Sequence, residues 1–271
     1  MTLVLAAFAI ATVAACAQQN PKELVTQMVH NELHSSSAPH YWMFLDHNVK
    51  HGKTVVDRVV ETRESWLRWP VSVDAHPPSD RDRSTADQTI KRLVNDPAAR
   101  ENDRKKIDED SKKAESLLKI LPDAFIFEPA GENNGSITLH FRPNPNYSPP
   151  SKEAKVFHAM AGELVINAKD KRLEKLSGKL THDVDFGWGI LGKIRKGGTF
   201  AVEQSQEAPG DWELTKLDVH INGKALFFHT ISEQQHEVKT DFEPVPANLA
   251  LAKAAALAEH GGNENASAAA K

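Results

Sequence analysis

The sequence predicts an α+β fold built on a long antiparallel β-sheet interrupted by helices, with an N-terminal helix. Three observations carry that expectation. Strand-length runs of aromatic and β-branched residues fill 40–73 and return from 124 to 242. A charged stretch with helical periodicity and few aromatics separates them, from Asp80 to Pro122. The strands also follow one another through short turns, without the regular strand–helix–strand alternation of a parallel sheet.

A chain of 271 residues, 40% hydrophobic and 26% charged, has the composition of a globular protein with a sizeable core. Its 33 Lys+Arg against 37 Asp+Glu give a formal net charge of −4. That balance supplies no electrostatic drive toward DNA or RNA, so nucleic acid is not an expected partner.

Residues 1–17 read as a targeting segment. Leu3 to Ala15 is apolar apart from Thr12, and thirteen helical residues rise only about 20 Å, too little to cross a bilayer. Small residues follow, so the segment has the character of a secretory signal and the protein is expected to be exported. Cys16, the single cysteine, lies in Val13-Ala14-Ala15-Cys16, which resembles a bacterial lipobox. Ala15-Cys16-Ala17 equally satisfies ordinary small-x-small cleavage. Cys16 is therefore a lipidation candidate, and a lipid anchor on it is the expected route to membrane association. Either route leaves no disulfide in the mature domain.

Along the rest of the chain, Pro21–His34 forms a helix with Leu24, Val25, Met28, Val29 and Leu33 on one side, and Pro21 suits its first turn. Tyr41–Asn48, Thr54–Arg63 and Ser65–Val71 are strands, the first two joined at His51-Gly52. Two helices follow, one carrying Ile90, Leu93 and Val94 and the other Ile107, Ala114, Leu117, Leu118 and Leu121, with Asp96-Pro97 between them. Strands at 124–127 and 137–141 flank the tight turn Asn134-Gly135. Ser151–Met160 is a short helix capped by Ser151. A meander then runs through Glu163–Ala168, Arg172–Asp185, Gly198–Gln206, Trp212–Ile221, Ala225–Ser232 and Glu237–Phe242, followed by a last helix over Ala247–Leu257. Leu217, Val219 and Ile221 share a face by period two. Gly261–Lys271 is too poor in apolar residues to pack. No repeat of 20–50 residues occurs.

No residue set has the pattern of a catalytic centre. There is no Gly-x-Ser-x-Gly elbow, and the lone thiol lies outside the mature fold. His30 and His34 stand four apart on the first helix, the spacing of a metal pair. The glutamate that a zinc-protease helix places directly after its first histidine is displaced here to Glu32. A metal-dependent hydrolase using His30 and His34 is thus a minor alternative, with His40, His47 or His51 as the third ligand. Gly187-Trp188-Gly189-Ile190-Leu191-Gly192 satisfies G-x-G-x-x-G literally, but its strand-like surroundings make it a bend rather than a dinucleotide loop. Lys193, Arg195 and Lys196 beside it form a small positive cluster suited to phospholipid head groups or simply to a solvated turn. No cofactor is expected.

The aromatics Trp42, Phe44, Trp66, Trp69, Phe125, Phe127, Phe141, Trp188 and Phe227 all fall in or beside strands. They either fill a sheet-and-helix core or wall an apolar ligand cavity beneath a lid. The order of these elements, carried by Pro21–Val73, Ala124–Phe141 and Gly162–Phe242, resembles the periplasmic lipoprotein-carrier superfamily of LolA/LolB-type sorting factors and the sensor RseB. The segment Gly162-Glu163-Leu164-Val165-Ile166-Asn167 is similar to that family's restart of a strand at glycine. The resemblance implies a curved antiparallel β-sheet in the form of an incomplete β-barrel closed by helices, a half-barrel domain over residues 18–248. The chain departs from it in a helical insertion at 80–122, longer than a minimal carrier needs and a candidate lid, and in an extra Ala-rich tail over 249–271, expected to be mostly disordered. The resemblance further implies a periplasmic or envelope-attached, non-enzymatic protein that holds the acyl chains of a lipid or acylated protein. The alternative within the same architecture is an envelope sensor or scaffold that binds a protein partner.

Overall fold

The computed structural model describes residues 20–34, 40–50, 52–151, 153–186, 192–221, 223–225 and 234–261. The targeting segment with Cys16, His51, Trp188, Phe227, most of the glycine motif 187–192 and the tail 262–271 lie outside the described residues.

In chain order the elements are α1 (Pro21–Leu33), β1 (Tyr41–Lys50), β2 (Lys53–Glu61), β3 (Trp66–Val73), α2 (Asp80–Asn95), α3 (Pro97–Ala124), β4 (Phe125–Asn133) and β5 (Ser136–Pro143). A 3₁₀ helix (Glu153–Ala159) precedes β6 (Met160–Asn167), β7 (Leu173–Leu180), β8 (Val184–Phe186) and β9 (Gly192–Ile194). The chain continues through β10 (Thr199–Ala208), β11 (Asp211–His220), β12 (Gly223–Ala225), β13 (Gln234–Val245) and α4 (Leu251–His260).

Local chemistry accounts for most boundaries. Asn20 caps α1 through Lys22 N–H, with Pro21 at the first helical position where no N–H is needed. Ser79 and Asp82 form a reciprocal capping box at the start of α2. Asp96 ends α2 and caps α3, whose first residue is Pro97. Asn134 (φ 50°) and Gly135 (φ 81°) occupy the left-handed region that a two-residue hairpin turn requires.

Ten strands form one open antiparallel sheet in the order β3-β2-β1-β13-β11-β10-β7-β6-β5-β4, curved but not closed into a barrel. The predicted class, α+β with a curved antiparallel sheet and an N-terminal helix, is the observed one. Two expected elements differ. The single strand expected over Arg172–Asp185 breaks at 181–183, because Leu180 closes onto the next turn through Leu180 N–Gly198 O and Gly197 N–Leu180 O bonds of 2.8 Å each. Its far end, β8, joins β9 and β12 in a separate three-stranded sheet. The last helix begins at Leu251 rather than Ala247, after a turn in which Leu249 N–H bonds to Pro246 C=O. Of the expected strand Ala225–Ser232 only Ala225 is described, at the end of β12.

Cross-strand register shows how the helices are distributed. Leu164 lies opposite Leu176, Leu176 opposite Val202, Val202 opposite Leu217, Leu217 opposite Glu237, and Glu237 opposite Asn48. Directly opposed residues share a face, and alternation then sets Asn48, Asp46, Phe44 and Trp42 on that face and Met43 on the other. On the Leu164 face, α1, the end of α3 and the 3₁₀ helix cover strands β4 to β7, burying Leu24, Met28, Leu121, Phe125, Leu139, Phe141 and Phe157 in one cluster. On the Met43 face, α2 and α4 cover β1 to β3, burying Met43, Val60, Leu67, Ile90, Leu93 and Ala254. The two helical layers thus pack on opposite faces at opposite ends of one sheet.

Helix α3 joins those ends. Its start is tied to the β2–β3 turn by Arg100–Glu64 (3.1 Å) and Ser65 Oγ–Asp103 (2.7 Å), and its end runs directly into β4 at the other edge of the sheet. Between these anchors, residues 104–116 are exposed apart from half-buried Ile107. Such a helix, polar on nearly every side and laced with i,i+3 and i,i+4 ion pairs such as Lys113–Asp110 and Lys119–Glu115, is a solvent-spanning connection.

Candidate functional site

The apolar side chains that β6, β7, β10 and β11 turn toward the Leu164 face are not all covered. A cavity of about 230 Å³ opens among them. Met160, Leu180, Phe200, Val202 and Val219 supply the sheet wall, Val156 and Phe157 come from the 3₁₀ helix, Ile194 from β9, and Leu117 from α3. Thr199 is the one polar side chain of that wall. Period-two alternation makes the wall, since Phe200 and Val202 stand opposite Val219 and Leu217. The cavity can take an apolar chain but offers almost nothing to orient a polar substrate.

Farther along the same face the chemistry changes. Trp42, Phe44, Val59, Trp66 and Phe242 pack together, with Phe44 and Phe242 stacked at 5.2 Å and Trp42 edge-on to Phe242 at 5.9 Å. Set among them are the buried polar residues Asp46, Asn48, Asp57 and Glu61. Asp46 and Lys239 are cross-strand partners, and Asp46 also receives the Arg68 guanidinium. The Lys239 ammonium stands 5.1 Å from the centre of the Phe44 ring and 5.6 Å from that of Trp66.

Pairing of β11 with β13 stops at Lys216–Val238, and beyond it the β10–β11 hairpin continues toward the β1 aromatics. There the Asp211 carboxylate accepts the Trp42 indole N–H at 3.2 Å and meets the His40 ring at 3.1 Å. Glu61 accepts the Trp42 backbone N–H at 3.2 Å. Burial, then the charge of Glu213, lift the Glu61 carboxyl from its ordinary value to about 7; the Trp42 bond and Lys239 only partly oppose this. Glu213 is raised as well, by burial first and then by Asp211.

Of the aromatics read as cavity candidates, the structure brings Trp42, Phe44 and Trp66 together in this mixed cluster. Phe125, Phe127 and Phe141 belong to the core beneath α1, with Phe125 and Phe141 rings 4.8 Å apart. Trp69 faces the other way, into a groove between α2 and α4. None of these seven is in the cavity wall, whose Phe157, Phe200 and Val219 were not among those cavity candidates, although the alternation of Leu217, Val219 and Ile221 placed Val219 on a shared face. His30 and His34 stack at 4.4 Å, with the His34 Nδ1 2.9 Å from the His30 carbonyl. Among the described residues no group of three or more His, Cys, Asp or Glu is arranged to hold a metal ion. His40 is engaged with Asp211, and His47 contacts Thr240 at 3.2 Å. Glu32, between the two histidines, points instead to Arg172 and holds it bidentately at 2.8 and 3.0 Å.

Fold and site together define an α+β protein whose open, curved sheet carries an apolar cavity and an acidic aromatic cluster on one face. No protein-family model matches the chain, and neither a curated protein nor a solved structure matches it.

Proposed function

We propose that this protein is a non-enzymatic carrier that holds an acyl chain of a lipid or acylated protein in the cavity between β6, β7, β10, β11 and α3. The observation that carries this reading is the wall itself: eleven side chains, all hydrocarbon but Thr199, lining about 230 Å³, with Leu117 reaching in from α3. Burial of a chain there is worth about 0.8 kcal/mol per methylene. The open half-barrel plan supports placing the protein beside the LolA/LolB-type carriers, and the apolar segment ending near Cys16 supports an exported, periplasmic or envelope-attached location. Helix α3, which is anchored at both ends and sends Leu117 into the cavity wall, serves as the lid.

The test is native mass spectrometry of mature protein purified from envelope extract without detergent exchange, followed by lipid extraction. The expected result is bound lipid near one to one, lost in Val219→Trp, which fills the cavity, while that variant keeps the wild-type far-UV spectrum. A clean apo mass that stays unchanged after incubation with phospholipid and acylated peptide overturns the reading.

A further inference from the structure

The strands that flank the β10–β11 hairpin leave it at one level. β7 stays paired with β10 only as far as Lys175–Glu203, and β13 with β11 only as far as Val238–Lys216. Glu203 and Lys216 are themselves partners, and the register slips just beyond them, where Gln204 pairs with Leu214 and Thr215 is left extra. A bulge bends its strand and disrupts the local ladder, so this one is a hinge placed where the flanking support ends. Past it, among the described residues, β10 and β11 pair only with each other, out to Ala208–Asp211.

The far end of the hairpin lies against the aromatic cluster. Asp211 takes the Trp42 indole N–H and meets the His40 ring, and Ala208 packs on the group of Trp42, Phe44 and Val59. Gln206 adds a long, exposed bond of 3.4 Å to Asp170. Like charges crowd these contacts. Glu61 of β2, only 9% exposed, faces Glu213 and Asp211 of β11, and Glu207 of β10 in turn acts on Glu213. Lys239 of β13 is the cation that opposes them at both Glu61 and Glu213, and it also meets Glu237 at 3.7 Å. The His40 ring, when protonated, adds a charge of favourable sign against Asp211.

Ionising Glu61, Glu213 and Asp211 together, largely out of water, pushes the hairpin away from β1. Burial and then Glu213 accordingly lift the Glu61 carboxyl from 4.5 to about 7 while the hairpin is seated. The seated form therefore binds the proton more tightly than a lifted one, and its advantage shrinks as pH climbs through that range.

We propose that the β10–β11 hairpin beyond Glu203 and Lys216 is a proton-operated flap, seated on β1 in acid and released as pH rises through neutrality. It swings at the Thr215 bulge and uncovers the Trp42, Phe44 and Phe242 rings. The inference is independent of the carrier reading, because neither Glu61, Asp211 nor Glu213 lines the cavity.

Solvent exchange of the Trp42 indole proton, followed by NMR on the full mature chain, reads the Asp211 contact directly. Corrected for the intrinsic pH dependence of exchange, its protection is expected to fall about tenfold or more between about pH 5.5 and about pH 8. The β10–β11 ladder amides and those of β6 and β7 keep theirs, because the hairpin moves as a unit. In Glu61→Gln/Glu213→Gln the indole stays at its acid-level protection across the range, and glutamine still accepts the Trp42 backbone N–H. Equal wild-type protection at the two pH values overturns the flap, and that comparison decides even if the double variant fails to fold. A loss that persists in the folded double variant overturns the carboxylate trigger. Parallel loss in the ladder amides means general unfolding and overturns the hinge.

Discussion

Gly162 and Gly178 stand directly opposite each other on β6 and β7, closer than two side chains allow. A Cβ at 162 would lie 2.0 Å from the Ser177 carbonyl oxygen and 2.5 Å from the Gly178 Cα. A Cβ at 178 would lie 2.5 Å from the Ala161 oxygen and 3.0 Å from the Phe200 ring. Phe200 is the cross-strand partner of Gly178, so the paired glycines make room for an aromatic ring that walls the cavity. Gly162→Ala is therefore expected to cost about 1–3 kcal/mol of stability by overpacking against backbone that cannot yield. Urea denaturation measures it, and a shift of the midpoint within error of zero would contradict the close approach. Gly178→Ala should cost a similar amount and also displace Phe200, weakening whatever the cavity binds.

The raised Glu61 carboxyl makes stability depend on pH with a definite sign. Folding lifts its pKa from the ordinary 4.5 to about 7, so between those values the folded state binds the extra proton. Stability from this group is greatest at low pH and declines as pH rises from about 4.5 to about 7, by about 3 kcal/mol in all. The groups that face it are Glu213 and Asp211, which raise it, and Lys239 and the Trp42 N–H, which lower it. Glu61→Gln removes the charge, so its advantage over wild type should be near zero at pH 4.5 and largest above pH 7.5. Thermal melts of both proteins across that range check it; a constant difference would place Glu61 in solvent.

Much of this architecture is legible in the chain. The stripe Leu24-Val25-Met28-Val29 is the buried side of α1, Asp96-Pro97 separates α2 from α3, and Asn134-Gly135 makes its hairpin. What escapes local reading is what register brings together. Glu61 and Glu213 are far apart in sequence and meet because β2 and the β10–β11 hairpin converge around Trp42, so each alone looks like an outward-facing strand carboxylate. One signal was present: Trp42, Phe44, Asp46 and Asn48 recur at period two, which commits an acid and an amide to the same face as two aromatics. Pro122 misleads in a smaller way. The helix expected to end there runs to Ala124, since a proline near the last turn removes one backbone bond without ending the turn.

The Glu32–Arg172 pair ties α1 to the sheet, beside the Asn31 amide that donates to the Asp170 and Lys171 carbonyls. Arg172 Nε and Nη2 meet the two Glu32 oxygens, and Leu173 N–H donates to Oε1 at 2.8 Å. Both side chains are largely buried, at 6% and 11% exposure. Glu32→Ala leaves a buried guanidinium and an amide without acceptors and should cost about 3–5 kcal/mol. The double replacement Glu32→Met/Arg172→Met should recover most of that, leaving the cost of the unpaired Leu173 N–H, about 1–3 kcal/mol. Chemical denaturation of the three proteins tests this as a cycle, and a double variant no more stable than Glu32→Ala would refute a charge-burial origin.

The span of α3 between its anchors makes the last prediction kinetic. Residues 104–116 bury almost nothing, whereas Leu117, Leu118, Ile120 and Leu121 join the core and Arg100 and Asp103 hold the other end. Helical hydrogen bonds in the span are then supported by propensity and exposed ion pairs alone, each pair worth little. Hydrogen exchange should find the amides of 104–116 least protected in the helix, opening without unfolding either end. Ala114→Gly should speed their exchange by about fivefold, from a helix-propensity cost of about 1 kcal/mol, while leaving the amides of β6 and β7 unchanged. Uniform protection along α3 would mean that the span is packed rather than free and would overturn its reading as a solvent-spanning connection.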